Sequence, residues 1–164
     1  MPNKKKKETK KDIRILLDNI RSAYNVGSIF RTAETLGISK IYCLNTTPTP
    51  IDRFGRIRGD IAKVALGAEK LVEWGHVKDG ISLIKALRRQ KFNIIALEQT
   101  NNSINYKKVK IKNKTLVILG NEVGGVSKKL LKSSDIIVEI PLNGRKESLN
   151  VSVAAGVFLF RILN

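Results

Sequence analysis

The sequence predicts an α/β fold, with a mainly parallel sheet flanked by helices, built as a single domain. Two observations predict it. Short β-rich apolar runs alternate with helix-length segments along the chain, which is the order of strand–helix–strand units. At 164 residues the chain can bury one real core but not two, and no internal repeat divides it.

Taken in order, Ile13–Leu17 is the first strand, closed by the turn pair Asp18–Asn19. Asn25 stands where it can cap a helix running to about Leu36, and Gly37 takes the position of a C′ glycine. Lys40–Leu44 is the second strand. Thr46–Asp60 carries Pro48, Pro50, Gly55 and Gly59 and reads as a long loop. Ile61–Lys70 reads as a helix and Leu71–Val77 as a strand. Ile81, Leu83, Ile84 and Leu87 mark one face of a helix over Asp79–Gln90. Phe92–Leu97, of buried type, and Thr115–Leu119 are strands. Ser127–Leu131 opens another helix and Ile136–Ile140 is the last strand. The final helix is Leu149–Leu163, with Ser148 at its N-cap position.

Composition narrows the functional class. Apolar residues make up 42% of the chain, so a packed core is expected rather than disorder. No apolar run approaches the ~20 residues of a membrane span. The lysine-rich start has no apolar stretch behind it, so a secretory signal is not predicted. Cys43 is alone, which excludes an internal disulfide and predicts a cytoplasmic protein. His76 is the only histidine, so neither a metal cluster nor a histidine-based base–nucleophile pair is expected, and it reads as a partly buried structural residue. Cys43 and Trp74 read as packing residues.

The net charge of +17 calls for a partner. Residues 1–12 hold six lysines against Glu8 and Asp12, which is +4 of the total and leaves +13 on the rest. Residues 101–146 hold ten Lys or Arg against Glu122, Asp135 and Glu139. A one-sided surplus on a compact body fits a polyanion, and RNA is the partner expected. Residues 1–11 form a basic tail that adds salt-sensitive, sequence-blind affinity, and residues 12–164 form the domain. Arg53, Arg56 and Arg58, with Phe54 between the first two, make the long loop either an RNA clasp or a solvated surface.

Three segments carry chemistry. They are Asn25-Val26-Gly27-Ser28-Ile29-Phe30-Arg31-Thr32-Ala33, Leu119-Gly120-Asn121-Glu122-Val123-Gly124-Gly125-Val126-Ser127, and IPLNGRKESLNVSVAAGVFLF from Ile140 to Phe160. Gly120 and Gly125 have the spacing of a phosphate loop, but Val126 stands where its lysine must be, so a nucleotide triphosphatase is excluded. No G-x-G-x-x-G motif supports a Rossmann cofactor site either. In this order the three segments resemble the signature blocks of the SpoU branch of the SPOUT superfamily, over about Asp12–Asn164. Members of that branch are RNA ribose 2′-O-methyltransferases that use S-adenosyl-L-methionine.

The resemblance implies several things that periodicity does not show. It implies a C-terminal deep trefoil knot and a homodimer, with the cofactor held in the knot near the subunit boundary. It implies that main-chain groups at Gly120, Ile140, Leu142 and Leu149, with Asn121 beside them, hold the cofactor. It implies catalytic roles for Arg31, Asn25, Glu122, Ser148 and Asn150, with tRNA or rRNA as substrate. Glu98-Gln99-Thr100, after another strand, is a further contributor to the pocket. On residue chemistry alone, Arg31 is either an activator of the ribose hydroxyl or a helix-surface cation paired with Glu34. Glu122 is either a loop carboxylate holding backbone N–H groups or the group that orients Arg31 or Asn25. The alternative for the whole chain is a non-catalytic RNA-binding or ribosome-associated protein of the same fold.

Overall fold

A computed structural model describes residues 10–164, and most of the basic tail, residues 1–9, lies outside the described residues. Seven strands form one sheet: β1 (Asp12–Asp18), β2 (Lys40–Leu44), β3 (Glu73–Val77), β4 (Asn93–Leu97), β5 (Ile104–Asn105), β6 (Lys114–Gly120) and β7 (Ile136–Glu139). Their order is β3-β2-β1-β6-β4-β7-β5, and every pairing is parallel. The carboxyl ends of all the strands therefore meet along one edge, and the loops that follow them share that edge.

Both faces of the sheet are covered. Ile13, Ile15 and Leu17 of β1 point into one apolar cluster, while Leu16 points into the other. Val117 and Leu119 of β6 divide from Leu116 and Ile118 in the same way. This two-sided burial is why these strands read as unbroken apolar runs rather than alternating ones. Helices α1 (Ala23–Thr35), α2 (Gly59–Ala65), α3 (Ala68–Leu71) and α6 (Val151–Leu163) supply the first cluster. Helices α4 (Gly80–Arg89) and α5 (Lys128–Lys132) supply the second. Cys43 is fully buried, which pushes its thiol pKa up to about 12 and keeps it protonated. Trp74 packs against the first cluster. His76, expected to be partly buried, is exposed because it lies on edge strand β3, with Nε2 2.8 Å from the Asn45 carbonyl oxygen.

Several local expectations need correction. The N-cap of α1 is Ser22, whose hydroxyl accepts from the Asn25 N–H at 3.2 Å; Asn25 sits inside the first turn. The N-cap of α6 is Asn150, not Ser148, and the helix starts at Val151. The helix expected over Ile61–Lys70 is two helices, because Leu66 (φ 52°) and Gly67 (φ 94°) turn left-handed between them. A short strand, β5, and a 3₁₀ turn at Tyr106–Lys108 fill a stretch that carried no prediction. The exit of α1 matches expectation: Gly37 N–H donates to Glu34 O and Ile38 N–H to Ala33 O, a Schellman ending with Gly37 at φ 68°.

Candidate active site

A cavity of about 430 Å³ opens at the carboxyl ends of β4, β6 and β7, where open α/β sheets bind ligands. Its walls come from Leu97–Gln99, from Leu119–Gly125, and from the segment between Val138 and Ala154.

The loop after β6 is built around close backbone approach. An added Cβ at Gly120 would lie 2.1 Å from Gly125 C and from Val126 N. At Gly125, with φ 67°, it would lie 2.0 Å from Glu98 Oε2. Only glycine fits either position. Asn121 N–H donates to Gly125 O and Gly125 N–H returns to Asn121 O, closing the loop on itself. Asn121 Oδ1 accepts from Val123 N–H at 2.9 Å and from Gly124 N–H at 2.7 Å.

Three carboxylates then fasten this loop to the sheet and to α1. Glu98 Oε2 accepts from Val126 N–H at 2.8 Å and buried Asp18 Oδ2 from Ser127 N–H at 2.7 Å. Glu122 reaches the other way: Oε2 accepts from Arg21 N–H at 3.0 Å, while Oε1 accepts from Ser22 N–H at 3.2 Å and Asn25 Nδ2 at 2.8 Å. Burial alone would raise the Glu122 pKa, but these hydrogen bonds outweigh it and hold the carboxyl below its ordinary value of 4.5. A carboxylate at Glu122 thus satisfies N–H groups ahead of α1 that the helix leaves open.

Asn25, itself buried, links the first motif to the last. It donates to Glu122 through Nδ2 and accepts from Asn150 Nδ2 at 3.1 Å through Oδ1. Asn150 Oδ1 in turn accepts from Ser152 N–H, Ser152 Oγ and Val153 N–H at the start of α6. A chain Glu122–Asn25–Asn150 therefore joins the three motif segments. Each member has one partner on each side, which fixes the amide orientations.

Of the residues singled out in the sequence, Gly120, Asn121, Glu122, Ile140, Leu142, Ser148, Leu149 and Asn150 line the cavity, and Asn25 is bound to two of them. Arg31 does not line it. It lies two turns into α1, about 9 Å along the axis from Asn25, with its side chain exposed. The pairing considered with Glu34 is not among the ion pairs formed by the described residues. Glu122 orients Asn25 rather than Arg31. Asp18 and the anchoring role of Glu98 were missed; a carboxylate directly after an apolar strand is the only signal for them. No group of three or more His, Cys, Asp or Glu among the described residues is placed to hold a metal ion.

A glycine-tight cavity at the carboxyl edge of an open parallel sheet defines a small-molecule-binding α/β protein. The chain belongs to the SpoU rRNA Methylase family, whose model matches residues 12–160. It is 28% identical over 150 residues to a tRNA (guanosine(18)-2′-O)-methyltransferase of Aquifex aeolicus, covering 92% of this chain and 68% of the relative. The crystal structure of the A. aeolicus TrmH/SpoU tRNA modifying enzyme superposes with a TM-score of 0.82 at 26% identity, over 95% of this chain and 76% of that one. An AdoMet-bound rRNA methyltransferase from Sinorhizobium meliloti shares the fold at 23% identity and TM-score 0.83, over 94% of this chain and 56% of that one. The chain thus spans between about half and three quarters of the length of these proteins.

Proposed function

We propose that this protein is an S-adenosylmethionine-dependent RNA methyltransferase that methylates a ribose 2′-hydroxyl in tRNA or rRNA. The observation that carries the reading is the Glu122–Asn25–Asn150 chain at the mouth of a cavity walled by Gly120–Gly125 and Ile140–Leu149. A cavity of about 430 Å³ falls within the roughly 300–1,000 Å³ of small-molecule sites. The cofactor would lie against main-chain groups at Gly120, Ile140, Leu142 and Leu149, with Asn121 holding the loop in shape. When bound, it supplies an electrophilic methyl group on a sulfonium.

The chain's own residues then align and activate the hydroxyl. Asn25 and Asn150, locked by their neighbours, hold the ribose, and Ser148 stands beside them on the cavity wall. Arg31 cannot serve as a base, since a guanidinium keeps its proton to above pH ~12. Its role is to stabilise the alkoxide that develops as the oxygen attacks.

The exposed position of Arg31 fits a homodimer in which it faces the cavity of the partner subunit. The exposed apolar stripe of Val153, Val157 and Phe160 along α6, with Leu149 just ahead of it, fits the same assembly. Family membership supports a C-terminal trefoil knot, formed by Ile140–Asn150 and α6. The basic residues 1–11 act as an RNA-binding arm on the domain 12–164, and the protein works in the cytoplasm. No helix among the described residues is long and apolar enough to cross a membrane.

The test is to incubate wild type and Arg31→Ala with methyl-labelled S-adenosylmethionine and separate tRNA and rRNA pools, then digest to nucleosides. Labelled 2′-O-methylnucleoside from wild type alone is expected. A labelled base overturns the ribose assignment, and loss of both label and cofactor binding favours the non-catalytic RNA-binding alternative.

A further inference from the structure

The loop between β2 and α2 exposes three large apolar side chains, Ile51, Phe54 and Ile57, and it is not slack. Ile51 and Ile57 pair as an antiparallel bridge, Asp52 N–H donates to Arg56 O at 2.9 Å, and Arg58 N–H donates to Pro50 O at 2.9 Å. Asp52 Oδ1 accepts from Phe54 N–H and Arg56 N–H, while Oδ2 takes Arg56 Nε at 2.9 Å. The result is a tied hairpin whose tip raises Phe54, 66% exposed, between Ile51 and Ile57, at 43% and 67%. The guanidinium carbons of Arg53 and Arg56 lie 4.8 and 5.0 Å from the Phe54 ring centroid.

The hairpin is also rigidly mounted. Thr47 Oγ1 donates to Leu17 O at 2.9 Å and accepts from Ile20 N–H at 3.1 Å, which pins the base of the loop to the end of β1. After the tip, α2 packs directly on α1, where an added Cβ at Gly27 would meet Ile61 O at 2.8 Å. Because β2 runs parallel to β6, the hairpin leaves the sheet at the same edge as the cavity.

We infer that the Ile51–Ile57 hairpin is an RNA-contacting finger, in which the Phe54 ring stacks on an unpaired base while Arg53 and Arg56 meet the flanking phosphates. This rests on the reading of RNA as substrate and adds to it a preference for a single-stranded element. Charge decides the occupant. Residues 51–60 carry Arg53, Arg56 and Arg58 against Asp52 and Asp60, a local surplus of one positive charge, which a nucleic acid meets with the opposite sign. Arg56 is steadied by Asp52, and among the described residues Arg53 has no carboxylate partner, so Arg53 is available to a phosphate. Aromatic rings and guanidinium planes are the surfaces on which splayed-out bases stack.

The test is fluorescence anisotropy at fixed salt with two probes: a short unstructured RNA and an RNA duplex of equal length. Phe54→Ala is expected to weaken single-strand binding about tenfold and to leave duplex binding unchanged. Phe54→Tyr restores single-strand binding. Arg53→Ala weakens both probes and lowers the salt slope by about one. The finger is overturned if Phe54→Ala binds the single strand as wild type does, if it weakens both probes equally, or if Phe54→Tyr behaves like Phe54→Ala. Dissociation of a dimer by Phe54→Ala would overturn it too, since it would make the tip a subunit contact. Labelled methyl transfer is measured in parallel. Single-strand binding through Phe54 with neither transfer to the tRNA and rRNA pools nor cofactor binding sinks the methyltransferase reading alone, and transfer with single-strand binding independent of Phe54 sinks the finger alone.

Discussion

The two segments that wall the cavity are held in opposite ways. Loop 121–127 is gripped at nearly every backbone N–H, by Asn121, Glu98, Asp18 and its own carbonyls. Segment 140–149 makes no hydrogen bond among the described residues, and most of it is exposed until Asn150 starts α6. One wall is therefore tied in place by polar contacts, and the other is not held in that way. A wall already tied in place costs little to bind against, because ordering backbone costs about 1–2 kcal/mol per residue.

The largest effect is expected at the rigid wall. Gly120→Ala places a methyl 2.1 Å from backbone atoms, so urea unfolding should register a loss of about 3 kcal/mol or more, and calorimetry should register no S-adenosylmethionine binding. Near-normal stability would mean that the loop can move, and the contrast between the walls would collapse. Glu98→Ala removes the acceptor for Val126 N–H. Leaving that N–H unpaired should cost about 1–3 kcal/mol and weaken cofactor binding.

At the wall with fewer ties the effects shrink. Asn150→Ala removes the α6 cap and the link to Asn25, with an expected loss of about 1 kcal/mol. Ser148→Ala removes neither a cap nor a hydrogen bond, so its stability should stay within about 0.5 kcal/mol of wild type. A loss at Ser148 equal to that at Asn150 would restore Ser148 as a structural residue.

Glu122 sharpens the comparison through pH. Its folded pKa lies below 4.5, so the stability it lends is complete above about pH 4.5 and is lost as pH falls through the depressed folded value. Urea midpoints for wild type should therefore drop more steeply on acidification than those for Glu122→Gln, which has no proton to gain. Parallel curves for the two proteins would show that the tie between loop and α1 carries no weight.

What local chemistry controls is legible along the chain. The succession of β1, β2, β3, β4, β6 and β7 in the sequence, the Schellman ending at Gly37, the glycine-bound loop after β6 and the surplus of positive charge could all be read from neighbouring residues. Short-range signals misled where two equivalent residues competed. Ser22 and Asn25 can both cap a helix, as can Ser148 and Asn150, and only packing chose Ser22 and Asn150. The strand order and the ties across the site belong to tertiary structure alone. Asp18 meets Ser127 across 109 positions, Asn25 meets Asn150 across 125, and Arg21 meets Glu122 across 101. No propensity or spacing rule reaches that far. These contacts exist because a parallel sheet gathers the ends of strands remote in sequence at one edge, where the loops that follow them must satisfy each other's polar groups.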